Sequence, residues 1–139
     1  MASEEKLRQV MRIKIISMGD AEVGKSCLIK KFCERKSVVS YIPTVGIDYG
    51  VTKTTVNGQL VKVNIFDMAG HPLFYEVRNE FYRDAQGAIL VYDVSLRTSF
   101  HNLQNWLDEM RKEIGSQVDA DSLVVFVCAN KTDVGRRQV

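Results

Sequence analysis

Gly19-Asp20-Ala21-Glu22-Val23-Gly24-Lys25-Ser26 is a complete G-x-x-x-x-G-K-S sequence, and it follows directly on the apolar run Arg12-Ile13-Lys14-Ile15-Ile16-Ser17-Met18. The pattern reads as a strand that delivers a glycine-rich loop and a helix that leaves it. In such a loop the glycines let the backbone come close to an anion, and successive N–H groups with the helix N-terminus hold its charge. Lys25 adds a fixed, catalytically useful positive charge. The Ser26 hydroxyl is a hard oxygen ligand for Mg²⁺, the cation that accompanies nucleotide phosphates. Gly19, Ala21, Glu22, Val23, Gly24, Lys25, Ser26 and Cys27 are therefore the candidate phosphate-binding residues.

Beyond this loop the hydrophobic spacing lays out an α/β chain. Cys27, Leu28, Ile29, Phe32 and Cys33 give the first helix one broad apolar face before the charged Glu34-Arg35-Lys36. Residues 51–56 and 60–66 flank Asn57-Gly58, a dipeptide that supplies the positive φ angles of a tight hairpin, so these strands should pair antiparallel. The runs 87–94 and 122–129 are nearly continuously apolar, as expected of strands buried on both faces of a parallel sheet. Between them Phe100, Leu103, Trp106, Leu107, Met110 and Ile114 recur at helical spacing and predict a helix packed on the sheet. The expected fold is a mixed, mostly parallel sheet flanked by helices, with the phosphate site at the strand carboxyl ends.

Two further motifs fall at strand ends. Asp67-Met68-Ala69-Gly70 places a carboxylate where it can reach Mg²⁺ through a water and a glycine N–H where it can touch a terminal phosphate. Asn130-Lys131-Thr132-Asp133 follows the last apolar run. A carboxylate offers two acceptors to the adjacent N1–H and N2–H₂ donors of guanine, a pair that adenine lacks, so Asp133 selects GTP. The Lys131 stem can cover the base, and Asn130 can tie this segment back to the phosphate loop.

A chain of 139 residues fits one domain, with residues 1–10 as a polar arm and 11–139 as the folded part. Nineteen basic against seventeen acidic residues leave no electrostatic footprint for nucleic acid. Cys27, Cys33 and Cys128 are odd in number and form no C-x-x-C, which suits a reducing compartment, cytoplasm or nucleus. No apolar run approaches the ~18 residues of a membrane helix, and neither Ala2 nor the final four residues provide a lipidation site. A monomer without a visible lipid anchor is expected.

These motifs in this order, with Pro43-Thr44 between the first helix and the next strand, resemble the small Ras-like GTPases, a P-loop NTPase fold, and within them the Rab branch. The resemblance implies GTP or GDP with Mg²⁺ as ligands, Ser26, Thr44 and Asp67 around the metal, and Tyr41 lying over the nucleotide. It also implies that Thr44 and Gly70 sense the γ-phosphate, and that Tyr49, Phe66 and Phe81 form an aromatic effector patch between switch regions near 38–49 and 68–83. The stretches 47–53, 63–72 and 74–82 are similar to the RJL (RBJ) family of Rab-like GTPases, many of which carry a C-terminal J domain. That likeness implies a link to an Hsp70 chaperone through a J domain absent from this sequence. It further implies that a helix, a last strand and a final helix belong after Val139, so that 11–139 is a truncated G domain.

The sequence departs from the Ras-like pattern at several points. His71, followed by Pro72, stands where a Gln orients the attacking water, which predicts a GTP phosphohydrolase with slow hydrolysis. Ala21 replaces a glycine where an arginine finger enters, Glu22 brings a negative charge that should point to solvent, and Ser37 stands where a phenylalanine stacks on guanine. Three readings result: a switch that holds GTP, a GTP-bound scaffold for protein partners linked to a chaperone, and an ordinary cycling Rab in vesicle traffic.

Overall fold

In a computed structural model of the chain, which describes residues 10–33, 39–42, 47–68, 80–114 and 123–139, the run before the phosphate loop forms β1 (Met11–Met18). Of residues 39–42, 47, 48 and 80 only the backbone is described. The loop leads into α1 (Lys25–Cys33). There follow β2 (Val39–Ile42), β3 (Ile47–Val56), β4 (Gln59–Asp67), a 3₁₀ turn at Glu80–Tyr82 and β5 (Gly87–Asp93). Two helices, α2 (Arg97–His101) and α3 (Leu103–Ile114), lead towards β6 (Val124–Asn130).

The six strands form one mixed sheet in the order β2-β3-β4-β1-β5-β6. β4, β1, β5 and β6 run parallel, while β3 turns back against β4 and β2 against β3. The hairpin closes at Val56 opposite Gln59, with Asn57 at φ 49° and Gly58 at φ 78°, the two positive angles that the Asn-Gly pair predicts. Both hairpin strands are longer than expected, and β2 is an additional strand, so the hairpin joins the third and fourth strands.

Side chains alternate across β1 as a period of two requires. Ile13 and Ile15 pack with Ile29, Cys33, Val61, Val63 and Ile65 under α1, while Ile16 and Met18 join Leu90, Leu103, Trp106 and Met110 under α3. The predicted helix at residues 100–114 is two helices, and Leu103, Trp106 and Met110 are buried as expected. Phe100 is instead exposed on α2, its ring edge-on to Tyr92 at 5.0 Å. On α1 only Ile29 and Cys33 of the apolar face are buried, and Cys27, Leu28 and Phe32 are exposed.

The expectation of two buried apolar strands holds for β5 and fails for β6. Val124, Phe126 and Val127 are more than half exposed, because β6 is the outermost of the described strands on its side and no described element covers either of its faces. Beside it a groove of about 320 Å³ runs between α1 and the sheet, lined by Leu28, Phe32, Ile89 and Cys128 among others.

Candidate functional site

Because β4, β1, β5 and β6 are parallel, their carboxyl ends lie along one edge of the sheet. That edge carries the phosphate loop after Met18, Asp67 at the end of β4, Asp93 at the end of β5 and Asn130 at the end of β6. The crevice outside the strand carboxyl ends is where open α/β sheets bind ligands.

The loop backbone explains its glycines. Gly24 has φ +96°, and a Cβ there would stand 2.2 Å from Asn130 Nδ2. At Gly19, with φ +148°, a Cβ would meet the Val91 carbonyl oxygen at 2.2 Å, so the loop presses directly on β5. α1 opens with the Leu28 N–H donating to the Gly24 carbonyl at 3.0 Å. Helix geometry leaves the N–H groups of its first turn without intrahelical acceptors, and these suit an anion. Lys25 is buried, and its Nζ donates to the Asp20 carbonyl at 3.1 Å, which holds a positive charge inside the loop. Glu22 (φ 67°) and Ala21 are exposed, as is Cys27 on the first turn of α1. Val23 is wholly buried.

The two remaining motifs converge on this loop. The Ser26 hydroxyl donates to Asp67 Oδ2, joining the first turn of α1 to the end of β4, and Asp67 is buried. A hydroxyl and a carboxylate in contact are a donor set of hard oxygens, the kind that Mg²⁺ takes, so the residues present fit the metal. From the other side, Asn130 Nδ2 donates to the Val23 carbonyl at 2.7 Å, and Lys131 Nζ donates to the Glu22 carbonyl at 2.8 Å. Asn130 thus makes the tie expected of it, whereas the ammonium of Lys131, at φ 62°, is committed to the phosphate loop. Asp133 is exposed beyond the β6 end.

Thr44, Gly70 and His71, with Ser37 and Pro72, lie outside the described residues, and so does the side chain of Tyr41, whose backbone pairs with Asp48 in β2 and β3. Among the described residues no cluster of three His, Cys, Asp or Glu side chains could hold a metal; the hard oxygens in contact here are the Ser26 hydroxyl and the Asp67 carboxylate.

Two groups escape sequence reasoning. Asp93 is buried and forms an ion pair with Lys131 Nζ at 3.1 Å, while its Oδ1 accepts from the Ser95 N–H at 2.8 Å and the Ser95 hydroxyl at 2.6 Å. The Ser95 hydrogen bonds, aided by Lys131 and opposed by burial, hold its carboxyl below the usual carboxylate range. An Asp followed two residues later by Ser at a strand end is a legible turn pattern. The contacts of Asp20 with Asn102 and Trp106, 82 and 86 residues away, leave no local trace.

Beside Asp67 at the carboxyl end of β4, Tyr49, Phe66 and Phe81 touch in series, with ring centroids 4.9 Å and 5.6 Å apart. All three are half-buried; Phe66 and Phe81 pack against the α3 core, and Tyr49 Oη donates to Asn64 Oδ1 at 2.6 Å. Lys14 Nζ sits 5.0 Å from the Phe66 ring centre, and partial burial pushes its pKa below the ordinary lysine value. No described helix is long and apolar enough to cross a membrane.

Comparison with known proteins shows what the whole chain is similar to. DnaJ homolog subfamily C member 27 of Danio rerio is 59% identical over 132 residues, covering 95% of this chain and 48% of that protein. The protein of that name in Gallus gallus is 61% identical over 126 residues, covering 91% of the chain and 46% of the relative. In Homo sapiens the corresponding figures are 60% over 123 residues, 88% and 45%. The chain spans about half the length of these relatives, whose DnaJ name agrees with the resemblance to RJL proteins. The family model described as "Ras family" matches residues 14–139, taking in every loop of the site just described, and the chain belongs to the Ras family of small GTPases.

Proposed function

We propose that this chain is a guanine-nucleotide switch that binds Mg²⁺·GTP and hydrolyses it slowly. The family binds guanine nucleotides with Mg²⁺. The observation that carries the reading for this chain is the junction of the phosphate loop with both other motifs, through Ser26 to Asp67 and through Asn130 to Val23. Gly19 and residues 21–27 hold the phosphates, Ser26, Asp67 and Thr44 hold the metal, and Asn130, Lys131 and Asp133 hold guanine, with Tyr41 over the nucleotide. Bound Mg²⁺ neutralises charge on the phosphate oxygens. Lys25 supplies a second positive charge from within the loop, and Thr44 and Gly70 follow the γ-phosphate.

Hydrolysis is slow in this reading because His71 replaces an amide that donates and accepts with a neutral imidazole whose single N–H differs in reach. Pro72 restricts His71 to extended conformations. GTP then persists and holds the switch segments in their signalling form, with Tyr49, Phe66 and Phe81 offered to effectors, in cytoplasm or nucleus. Nucleotide released from the purified protein and separated by anion-exchange chromatography tests this. GTP in excess is the expected result, and GDP in excess overturns it.

A second reading deepens the first. Relatives that carry the name DnaJ homolog, and that are about twice as long as this chain, support a GTP-bound scaffold coupled to an Hsp70 chaperone. In a pull-down with a full-length relative's J domain present, capture of the chaperone that varies with bound nucleotide is the expected outcome. Nucleotide-independent capture counts against the coupling.

A further inference from the structure

An acidic side chain inside an anion-binding loop is electrostatically unfavourable, since it stands beside the charge the loop must attract. Asp20 is such a residue, and both of its carboxylate oxygens are engaged. Oδ2 accepts from Asn102 Nδ2 at 2.6 Å, and Oδ1 accepts from the Trp106 indole N–H at 3.1 Å. The two donors lie one helical turn apart at the start of α3, where the Trp106 backbone N–H donates to the Asn102 carbonyl at 3.2 Å. Residues four apart share a helix face, which is why both reach one carboxylate. Trp106 is only 6% exposed and packs in the core on the α3 side of the sheet, so its ring is fixed and the loop is docked onto it.

We infer that Asp20 is a positioning residue of the nucleotide site, anchoring the entrance of the phosphate loop to α3 so that the loop N–H groups are set before the ligand arrives. The inference rests on the reading of the loop as a guanine-nucleotide site. The far side of the same loop is held by Asn130 on Val23 and Lys131 on Glu22, so the loop is pinned from both β6 and α3. Asp20 also presents its own carbonyl to Lys25 Nζ, so displacing it moves the partner of the catalytic ammonium. Only a carboxylate suits two N–H donors. Asparagine at this position keeps one acceptor and turns an NH₂ towards the other donor. A pre-set loop spends less of its binding energy on ordering, and that advantage appears chiefly in the dissociation rate.

The test measures release of labelled GDP from the chain in Mg²⁺ for Asp20→Asn, Asn102→Ala and the double variant. Asp20→Asn is expected to release GDP about tenfold faster, the effect of losing a hydrogen bond to a charged group, and Asn102→Ala about threefold faster. The double variant should be no faster than Asp20→Asn, because both changes break one junction. Trp106 is the sole tryptophan, so its emission should also shift in Asp20→Asn, a signature that general loosening of the fold does not mimic in Asn102→Ala. Should Asp20→Asn fail to fold, the half-exposed Asn102 still allows a test, with faster release at an unchanged melting temperature as the expected result. Release within twofold of the parent in both single variants, or additive effects in the double variant, overturns the inference. A parent chain that binds no guanine nucleotide overturns this inference together with the reading it rests on.

Discussion

The Asn130 side-chain amide donates to the Val23 carbonyl oxygen at 2.7 Å, so the end of β6 holds the loop that follows β1. Removing that amide leaves a carbonyl beside a wholly buried side chain without its partner. Asn130→Ala is expected to speed nucleotide release by about tenfold, the consequence of an unsatisfied polar group costing about 1–3 kcal/mol. Exchange kinetics with a fluorescent guanine nucleotide would show it, and an unchanged rate would remove Asn130 from the site.

Two glycines separate crowding from backbone strain. Gly24→Ala must place a methyl group 2.2 Å from Asn130 Nδ2 at φ +96°, whereas Gly58→Ala, at φ +78°, meets nothing within 4 Å. Gly58→Ala should cost about 1 kcal/mol, the penalty of the left-handed region alone, and Gly24→Ala at least about 2 kcal/mol more together with nucleotide affinity. Melting curves with and without nucleotide measure both, and equal costs would contradict the crowding.

Ser26→Ala removes the hydroxyl that meets Asp67. In the parent, nucleotide affinity should fall sharply when EDTA removes Mg²⁺; in Ser26→Ala it should be weak from the outset and nearly indifferent to EDTA. A variant that keeps the parent's full response would place the metal elsewhere.

Acid should loosen the junction between β5 and the Lys131 segment. Asp93 has a folded-state pKa depressed by Ser95 and Lys131, so the stability it contributes is present above the ordinary carboxylate pKa and is lost as pH falls through the lower, folded value. Asp93→Asn should lower the melting temperature at neutral pH and flatten its decline through the carboxylate range. Parallel pH profiles for parent and variant would refute this.

In the proposed reading of slow hydrolysis, His71→Gln would supply an amide to orient water. Single-turnover GTP cleavage should rise about tenfold or more, since positioning supplies most of the barrier reduction in phosphoryl transfer. An unchanged rate would mean that His71 is not what slows the reaction.

The strand-loop-helix start and the Asn-Gly hairpin were legible because each is encoded within a few residues. The tie from Asn130 to the phosphate loop was legible too, because the motif order requires the two segments to meet. β6 was misread because a run of valine and phenylalanine looks the same at the centre of a sheet and at its outer position, and strand order is a long-range property. Phe100 was misplaced because its spacing fits the α3 stripe while a break at Asn102 separates it from that helix. Asp20 was overlooked for a different reason: its loop position points to phosphate, and its partners lie on a helix that only the folded sheet brings near.

The Val23 carbonyl and the Asn130 amide are 107 residues apart in sequence, and Asp67 and Asp93 come from two strands between them. A chain that has not yet seated β6 has a phosphate loop without this tie, so bound nucleotide would favour chains in which β6 is seated. In the proposed reading, nucleotide at 100 times its dissociation constant would add about 2.7 kcal/mol to the folded state, the form in which that tie is made.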